Sequence, residues 1–247
     1  MSLFYEMTLP IDSRDADGNG FCKASALLGH IQEAATQAAE HGGFGRTLTS
    51  EGYRAFWMLT RVWFRLRRPL RWEEPLTIRT WHRGSRGASM YRDYDLFVRG
   101  EPVGECVSAW VLASLEDRQL IRMSSIPELA GTGGGALCKD KKLSRLRLPP
   151  EMVLSDRRKL RYSDTDLNGH VNNTRYADFA CDALEMEKLG PGRFLSEMQI
   201  GYLAECRPGE ELRLLTGRDG DVRFVQGMDE SGKSRFEASL IFGEVLP

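Results

Sequence analysis

Two short polar stretches, 149 positions apart, constrain this chain more than any other feature of it. The later one reads Asp164-Thr165-Asp166-Leu167-Asn168-Gly169-His170-Val171-Asn172-Asn173. The earlier one carries Asp15, Asp17, Asn19 and Gly20, which match Asp164, Asp166, Asn168 and Gly169 at one constant offset (166 − 17 = 149). Asp and Asn at alternate positions leave their side chains on one side of an extended segment. The Asn-Gly pair then turns the chain, because glycine tolerates a positive φ and Asn is the next most tolerant residue. A helical periodicity and a run of β-rich segments follow each stretch, so the order strand, turn, helix, strands is written twice. Duplication is the reading this supports. The copies differ where it matters chemically: the second has His170, and the first has Phe21. Taken singly, Asp166 and Asn168 could serve only turn hydrogen bonds, and Asn172 or Asn173 only a helix cap. The group ending in His-Val-Asn-Asn, with a carboxylate beside an imidazole, points to acid–base chemistry.

Composition removes several classes of function. The 247 residues, 41% of them hydrophobic, suffice for one large core or two ordinary ones. With 34 basic and 35 acidic residues the net charge is −1, and no global charge points to nucleic acid. Five scattered cysteines (Cys22, Cys106, Cys138, Cys181, Cys206) show no Cys-x-x-Cys spacing, which fits reduced thiols and argues against a disulfide framework or a zinc site. The four histidines are far apart, so no metal-ligand cluster is visible and no metal or cofactor is expected. The first residues lack a basic and apolar leader, and no run reaches the length of a membrane span. A cytoplasmic protein without stable membrane insertion is the expectation.

In chain order, Phe4 to Asp12 is a short alternating strand. Ser25 caps a helix with Leu27, Leu28, Ile31, Ala34, Ala35 and Ala38 at helical spacing. Strands follow over 54–68, 76–82, 88–98 and 103–115. The first of them sets Val62, Phe64 and Leu66 on one face against Arg61, Trp63, Arg65 and Arg67 on the other. Gly131-Thr132-Gly133-Gly134-Gly135 and Lys139-Asp140-Lys141-Lys142 then read as a linker. The plan restarts with a strand near 156–162 and the second polar stretch. A helix with Tyr176, Phe179, Ala180, Ala183 and Leu184 on one face is stopped by Gly190-Pro191-Gly192. Strands over 194–203, 211–215, 222–226 and 235–242 complete the chain. The division expected is an N-terminal domain over 1–130, a linker over 131–150 and a C-terminal domain over 151–247.

Each half is thus a helix of about four turns followed by antiparallel strands, an α+β plan in which a sheet curls around one helix. This layout and the Asp-x-Asn-x-His-Val-Asn-Asn string resemble the hot-dog fold. More closely, they resemble the acyl-acyl carrier protein thioesterases of plants and bacteria, in which two hot-dog domains lie in tandem. The resemblance extends to Gln32-Glu33-Ala34-Ala35, Thr60-Arg61, Ser108-Ala109-Trp110-Val111, Ile126-Pro127-Glu128 and Tyr202-Leu203-Ala204-Glu205-Cys206. It implies hydrolysis of fatty acyl-ACP to free fatty acid and holo-ACP without a cofactor. It also implies one network of Asp166, Asn168, His170 and Glu205, and an N-terminal half that shapes chain-length preference.

Thioester hydrolysis needs an activated water or a nucleophile, a stabilised oxyanion and a route for protons. No Gly-x-Ser-x-Gly elbow is present. Glu205 is assigned as the base that activates water, with direct nucleophilic attack as the lesser option. His170 relays protons, Asp166 orients the imidazole, and Asn168 positions water or the oxyanion. The bland alternative for Glu205 is a surface carboxylate paired with Arg207. Aligning Arg68-Pro69 with Arg207-Pro208 places Leu66 opposite Glu205, so the first copy lacks the acid as well as the imidazole. Cys206 is the rival nucleophile, but neighbours on a strand face opposite ways, and cysteine is commonly a small buried hydrophobe. His30, His41 and His82 are assigned no role, His82 being placed on a strand surface.

Phe56, Trp57, Met58, Trp110, Leu27, Leu28 and Ile31 are the acyl-binding candidates, because they lie in the half without His170. The carrier is acidic, so a basic patch is expected, and Arg157, Arg158 and Lys159 within the densest basic stretch are assigned to it. A monomer or a homodimer both fit, since tandem domains already supply the pairing of single hot-dog chains. The rival functions are an acyl-CoA thioesterase with the same site, a hot-dog dehydratase, and a non-catalytic acyl-binding module.

Overall fold

A computed structural model of the protein describes residues 4–46, 48–127, 141 and 143–246. Most of the glycine- and lysine-rich stretch expected as a linker, residues 128–140 and 142, lies outside the described residues. Two compact units emerge, one of Met1–Ile11, Gly29–Phe64 and Glu73–Leu143, the other of Asp12–Leu28, Arg65–Trp72 and Ser144–Pro247.

The strands of the first unit are β1 (Tyr5–Pro10), β2 (Ala55–Leu66), β3 (Pro75–Arg86), β4 (Ser89–Val98), β5 (Glu101–Ser114) and the short β6 (Leu120–Ile121). Helix α1 (Ala24–His41) precedes β2. The strand order is β1-β3-β4-β5-β2, with β6 on β5. The second unit has β7 (Val153–Lys159), α2 (Arg175–Ala183), β8 (Arg193–Tyr202), β9 (Glu211–Asp219), β10 (Val222–Met228) and β11 (Ser234–Glu244). Its order is β7-β9-β10-β11-β8. With strands renumbered from each start, both orders read 1-3-4-5-2. The duplication inferred from ten residues is therefore a duplication of whole topology, and each copy has the order of a hot-dog domain.

Both helices are amphipathic for the reason their spacing implied. Leu27, Leu28, Ile31, Ala34, Ala35 and Ala38 of α1 are buried, as are Tyr176, Phe179, Ala180 and Ala183 of α2. Helix α2 lies against β7, β9, β10 and β11. Tyr176 sits edge-on to Phe236, with ring centroids 5.1 Å apart. The helices are not the matched four-turn pair expected, because α1 has 18 residues and α2 only nine. Helix α2 stops before the glycines assigned to end it: Glu185 takes a left-handed φ of 52°, which breaks the ladder at Leu184.

Two further expectations fail in the first unit. Trp63, assigned to the polar face of β2, is 2% exposed. It packs with Val107, Ala109 and Leu143, and the Lys141 ammonium lies 4.4 Å from its ring centroid, so the chain after β6 covers a face that alternation alone leaves open. His82, expected on a surface, is 8% exposed. It stands opposite Arg92 on β4, which is in turn opposite Ser108 on β5, forming a polar row across the buried side of the sheet. Burial, and after it the Arg92 guanidinium, pushes His82 down to about 4 from 6.5.

That row makes stability pH-dependent. The unfolded chain protonates this histidine near pH 6.5, whereas the folded chain resists until about pH 4. Between those values the unfolded state binds more protons, so stability falls as pH drops through the window and is constant below it. At about 1.4 kcal/mol per pH unit the loss approaches about 3 kcal/mol. Urea unfolding of His82→Gln should show a flatter stability profile between pH 4 and 6.5 than wild type, and parallel profiles would clear His82 of the effect.

Candidate active site

The second polar stretch folds as a closed loop between β7 and α2. Thr165 bridges to Val171, and the Asp166 amide donates to the His170 carbonyl at 3.0 Å. Asp166 Oδ1 accepts the Asn168 amide at 2.8 Å, an Asx turn that Gly169 completes at φ 75°. The loop is tied to the chain beyond β8 by one backbone bond, from the Val171 amide to the Cys206 carbonyl, 2.9 Å long. Since Val171 meets Cys206, their neighbours His170 and Glu205 come side by side. His170 Nε2 lies 3.2 Å from Glu205 Oε2, with the imidazole 18% exposed and the carboxylate 43%. Arg235 holds the Glu205 carbonyl at 2.7 Å and is itself fixed by Asp229 at 2.9 Å. The Ser231 hydroxyl and the Lys233 amide hold the Asp229 carboxyl down at about 2.

The loop is anchored from below by Asp164, whose side chain is 3% exposed. Asp164 Oδ2 accepts the Arg161 amide at 2.8 Å, and Oδ1 meets Arg175 at 3.3 Å and Arg158 at 3.5 Å. The Asp164 carbonyl accepts from the Asn172 amide at 2.8 Å. A buried carboxylate with this set of donors fixes both sides of the loop that carries His170.

The first copy repeats the backbone almost bond for bond. The Asp17 amide donates to the Phe21 carbonyl at 2.8 Å, Asp17 Oδ1 accepts the Asn19 amide at 2.8 Å, and Gly20 has φ 76°. The Cys22 amide donates to the Leu70 carbonyl at 2.8 Å, as Val171 does to Cys206. The Ile11–Glu74 and Leu160–Glu210 bonds match in the same way. These bonds set Pro69, not Leu66, opposite Glu205, and Arg71 opposite Arg207. The pairing of Arg68-Pro69 with Arg207-Pro208 is therefore corrected: the offset is 149 at the loop but 136 (206 − 70) after the second strand. The first copy still lacks both the imidazole and the acid.

The remaining expected residues divide. Asp166 spends its carboxylate on the turn, so it positions His170 through the backbone rather than by a bond to the ring. Asn168 is exposed, and among the described residues its side chain makes no hydrogen bond. Glu205 and Cys206 lie beyond the end of β8 rather than on a strand, yet face opposite ways: Cys206 is fully buried against Tyr176, and burial pushes its thiol up. A thiol held in that form is a poor nucleophile. Arg207, offered above as the partner of Glu205, instead directs its side chain to His170 Nε2 at 3.2 Å, which sequence reasoning missed.

Of the carrier candidates, Arg157 and Lys159 are exposed, with Arg157 3.3 Å from Glu211. Arg158 is committed to the fold. It bonds Asp182 at 2.9 Å, reaches Asp164, and stacks 4.2 Å from the Phe179 ring centroid. Of the acyl candidates, Trp57 and Trp110 pack into one cluster with Ala55, Met90 and Leu112. Leu27, Leu28 and Ile31 are buried on α1. Phe56 and Met58 alternate with Trp57 on β2 and so point to its other side, where Arg118 covers the Phe56 ring. The seven therefore do not line one surface. A surface cleft of about 550 Å³ in the second unit, between Pro149, Val153, Leu184 and Arg223, contains none of them.

Among the described residues no group of three or more His, Cys, Asp or Glu is placed to hold a metal, and no helix is long and apolar enough to cross a membrane.

Comparison with known proteins covers nearly the whole chain. The family model "Acyl-ACP thioesterase N-terminal domain" matches residues 2–128, and "Acyl-ACP thioesterase C-terminal domain" matches residues 150–243. A dodecanoyl-[acyl-carrier-protein] hydrolase of Umbellularia californica is 28% identical over 236 residues, 88% of this chain and 60% of that one. Oleoyl-acyl carrier protein thioesterase 1 of Arabidopsis thaliana is 23% identical, covering 93% of this chain and 68% of the relative. Both relatives are chloroplastic, and the chain spans about 60% of the length of the first. An acyl-ACP thioesterase structure from Bacteroides thetaiotaomicron superposes with a TM-score of 0.87 at 22% identity, covering 98% of this chain and all of that one. The 12:0-ACP thioesterase of Umbellularia californica gives a TM-score of 0.83 at 23% identity over 99% and 98% of the two chains. These structures establish a tandem hot-dog fold.

Proposed function

The chain belongs to the acyl-ACP thioesterase family, and from that premise we propose that it hydrolyses fatty acyl-acyl carrier protein to free fatty acid and holo-ACP. The observation that carries the reading is the His170–Glu205 pair, 3.2 Å apart and open to solvent on the Glu205 side. Glu205 takes a proton from water as the water oxygen bonds to the thioester carbon. The tetrahedral intermediate then collapses, the carbon–sulfur bond breaks, and the proton returns to the departing thiolate through His170. Asp166 and Asn168 shape the turn that holds the imidazole, with the exposed Asn168 amide free to bind water.

The N-terminal half accommodates the acyl chain and the C-terminal half does the chemistry. Trp57, Trp110 and the buried face of α1 support that division, being apolar and lying in the copy without His170. We place the protein in the cytoplasm, where Cys22, Cys106, Cys181 and Cys206 stay unpaired as they are here.

The deciding experiment follows thiol release from acyl-ACPs and acyl-CoAs of graded chain length. Faster turnover of acyl-ACP at equal chain length is expected, and turnover of acyl-CoA alone would replace this reading by the CoA thioesterase. Carrier recognition is assigned to Arg157 and Lys159. Reversing both to Glu should raise the KM for acyl-ACP about tenfold and leave acyl-CoA unaffected, as loss of a rim charge does. Arg158→Glu should instead lower the melting temperature, because its partners are Asp164, Asp182 and Phe179. Equal effects of the Arg157/Lys159 reversal on both substrates would remove the assignment.

A further inference from the structure

Two charged groups compete for one nitrogen in this site. Glu205 Oε2 and an Arg207 guanidinium nitrogen each lie 3.2 Å from His170 Nε2. A neutral ring nitrogen carries either a proton or an in-plane lone pair, so the two contacts cannot both be hydrogen bonds at once. With its proton on Nε2, His170 donates to Glu205 and the Arg207 N–H is left without an acceptor. With its proton on Nδ1, His170 accepts from Arg207.

Among the described residues no other side chain claims that guanidinium. Among the described residues Arg207 makes no ion pair, and its other ties run through its backbone, the amide to the Glu210 carboxylate at 3.2 Å and the carbonyl to the Glu210 amide at 3.3 Å. The internal repeat shows that the placement comes from the framework. In the first copy Arg71 takes the corresponding position, and its guanidinium lies 5.0 Å from the centroid of Phe21, the residue matched to His170. Both copies therefore aim an arginine at the same ring position. Only the second has an imidazole there, and only it replaces Pro69 with an acid.

We propose that Arg207 is a catalytic residue, whose guanidinium binds the oxyanion formed at the thioester carbonyl. The proposal rests on the thioesterase reading and adds to it the electrophilic group that reading lacks. As the water oxygen bonds to carbon, its proton passes to Glu205 and the carbonyl π electrons move onto oxygen, to which the Arg207 N–H donates a hydrogen bond. Collapse re-forms the carbonyl and expels the thiolate. His170, with its own proton on Nδ1, takes at Nε2 the proton that Glu205 removed from water and passes it to that sulfur, and the carboxylic acid product loses its proton to solvent. Once protonated, Glu205 donates to Nε2 in place of Arg207, so the step that loads the acid also frees the guanidinium for the oxyanion.

The test compares wild type, Arg207→Ala, Arg207→Lys and Arg71→Ala on an acyl-ACP and an acyl-CoA of the same chain length. Loss of one oxyanion donor lowers kcat by about 10²–10³-fold, and the lower end is expected at this exposed site. Arg207→Ala should lose about 10²-fold in kcat on both substrates with KM little changed. Arg207→Lys should recover part of that loss, millimolar guanidinium should partly rescue Arg207→Ala, and Arg71→Ala should retain wild-type kcat. A raised KM confined to acyl-ACP would make Arg207 a docking residue and overturn the proposal, as would an unchanged kcat in Arg207→Ala. A wild type inactive on both thioesters would overturn the thioesterase reading itself.

Discussion

Glu205→Gln and His170→Ala are each expected to lower kcat for thioester hydrolysis by about 10²–10⁴-fold, the usual contribution of a positioned acid or base. Gln at 205 keeps the volume and the hydrogen-bonding reach but cannot take a proton from water. The pair lies outside the packed core, and Glu205 is 43% exposed, so both variants should melt within a few degrees of wild type. Because both residues move the same proton, the double variant should be little worse than the more damaged single one. Steady-state kinetics on one acyl-ACP, with melting curves alongside, measures all of this. Near-wild-type turnover by Glu205→Gln would end its assignment as the base, and fully additive losses would mean that the two groups act in separate steps.

Asp164→Ala is expected to be the most damaging change that touches no substrate. It removes the carboxylate shared by Arg158 and Arg175 and the acceptor of the Arg161 amide. Removing one partner of a fully buried pair costs about 3–5 kcal/mol, because the remaining charge is left uncompensated. The two arginines are 26% and 35% exposed, so water recovers part of that, and about 2–3 kcal/mol remains. In a protein of this size that corresponds to a fall in melting temperature of roughly 5–10 °C. The loop of His170 should loosen with it, so kcat should fall even at temperatures where the variant is folded. Unchanged kcat at full folding would show that the Val171–Cys206 bond alone is enough to hold the imidazole.

The contrast between these two experiments reflects where information lies in the chain. The polar loop, its turn glycines, the apolar stripes of α1 and α2 and the positions of nearly all the strands were legible in the sequence. They follow from short-range rules: which residues accept a positive φ, which spacing makes one face of a helix, which alternation makes a strand. The duplication was legible for the same reason, since Asp15 to Gly20 and Asp164 to Gly169 fold by local bonds within a few residues. His170 and Glu205 could be named together because the family motif contains both.

What only the tertiary structure decided depends on pairing across long separations. The two copies keep an offset of 149 through the loop but 136 by the end of the next strand, because the first spends 13 more residues in between, nine of them in the longer α1. No local rule counts those residues, and so Leu66 was set opposite Glu205 where backbone hydrogen bonds set Pro69. The same holds for His82, buried opposite Arg92 of the next strand, for Arg158, taken up by carboxylates six and 24 positions away, and for Arg207, brought 3.2 Å from an imidazole 37 residues earlier. Local chemistry determined which segments form and which side chains can react. The register between distant segments determined which of those side chains meet.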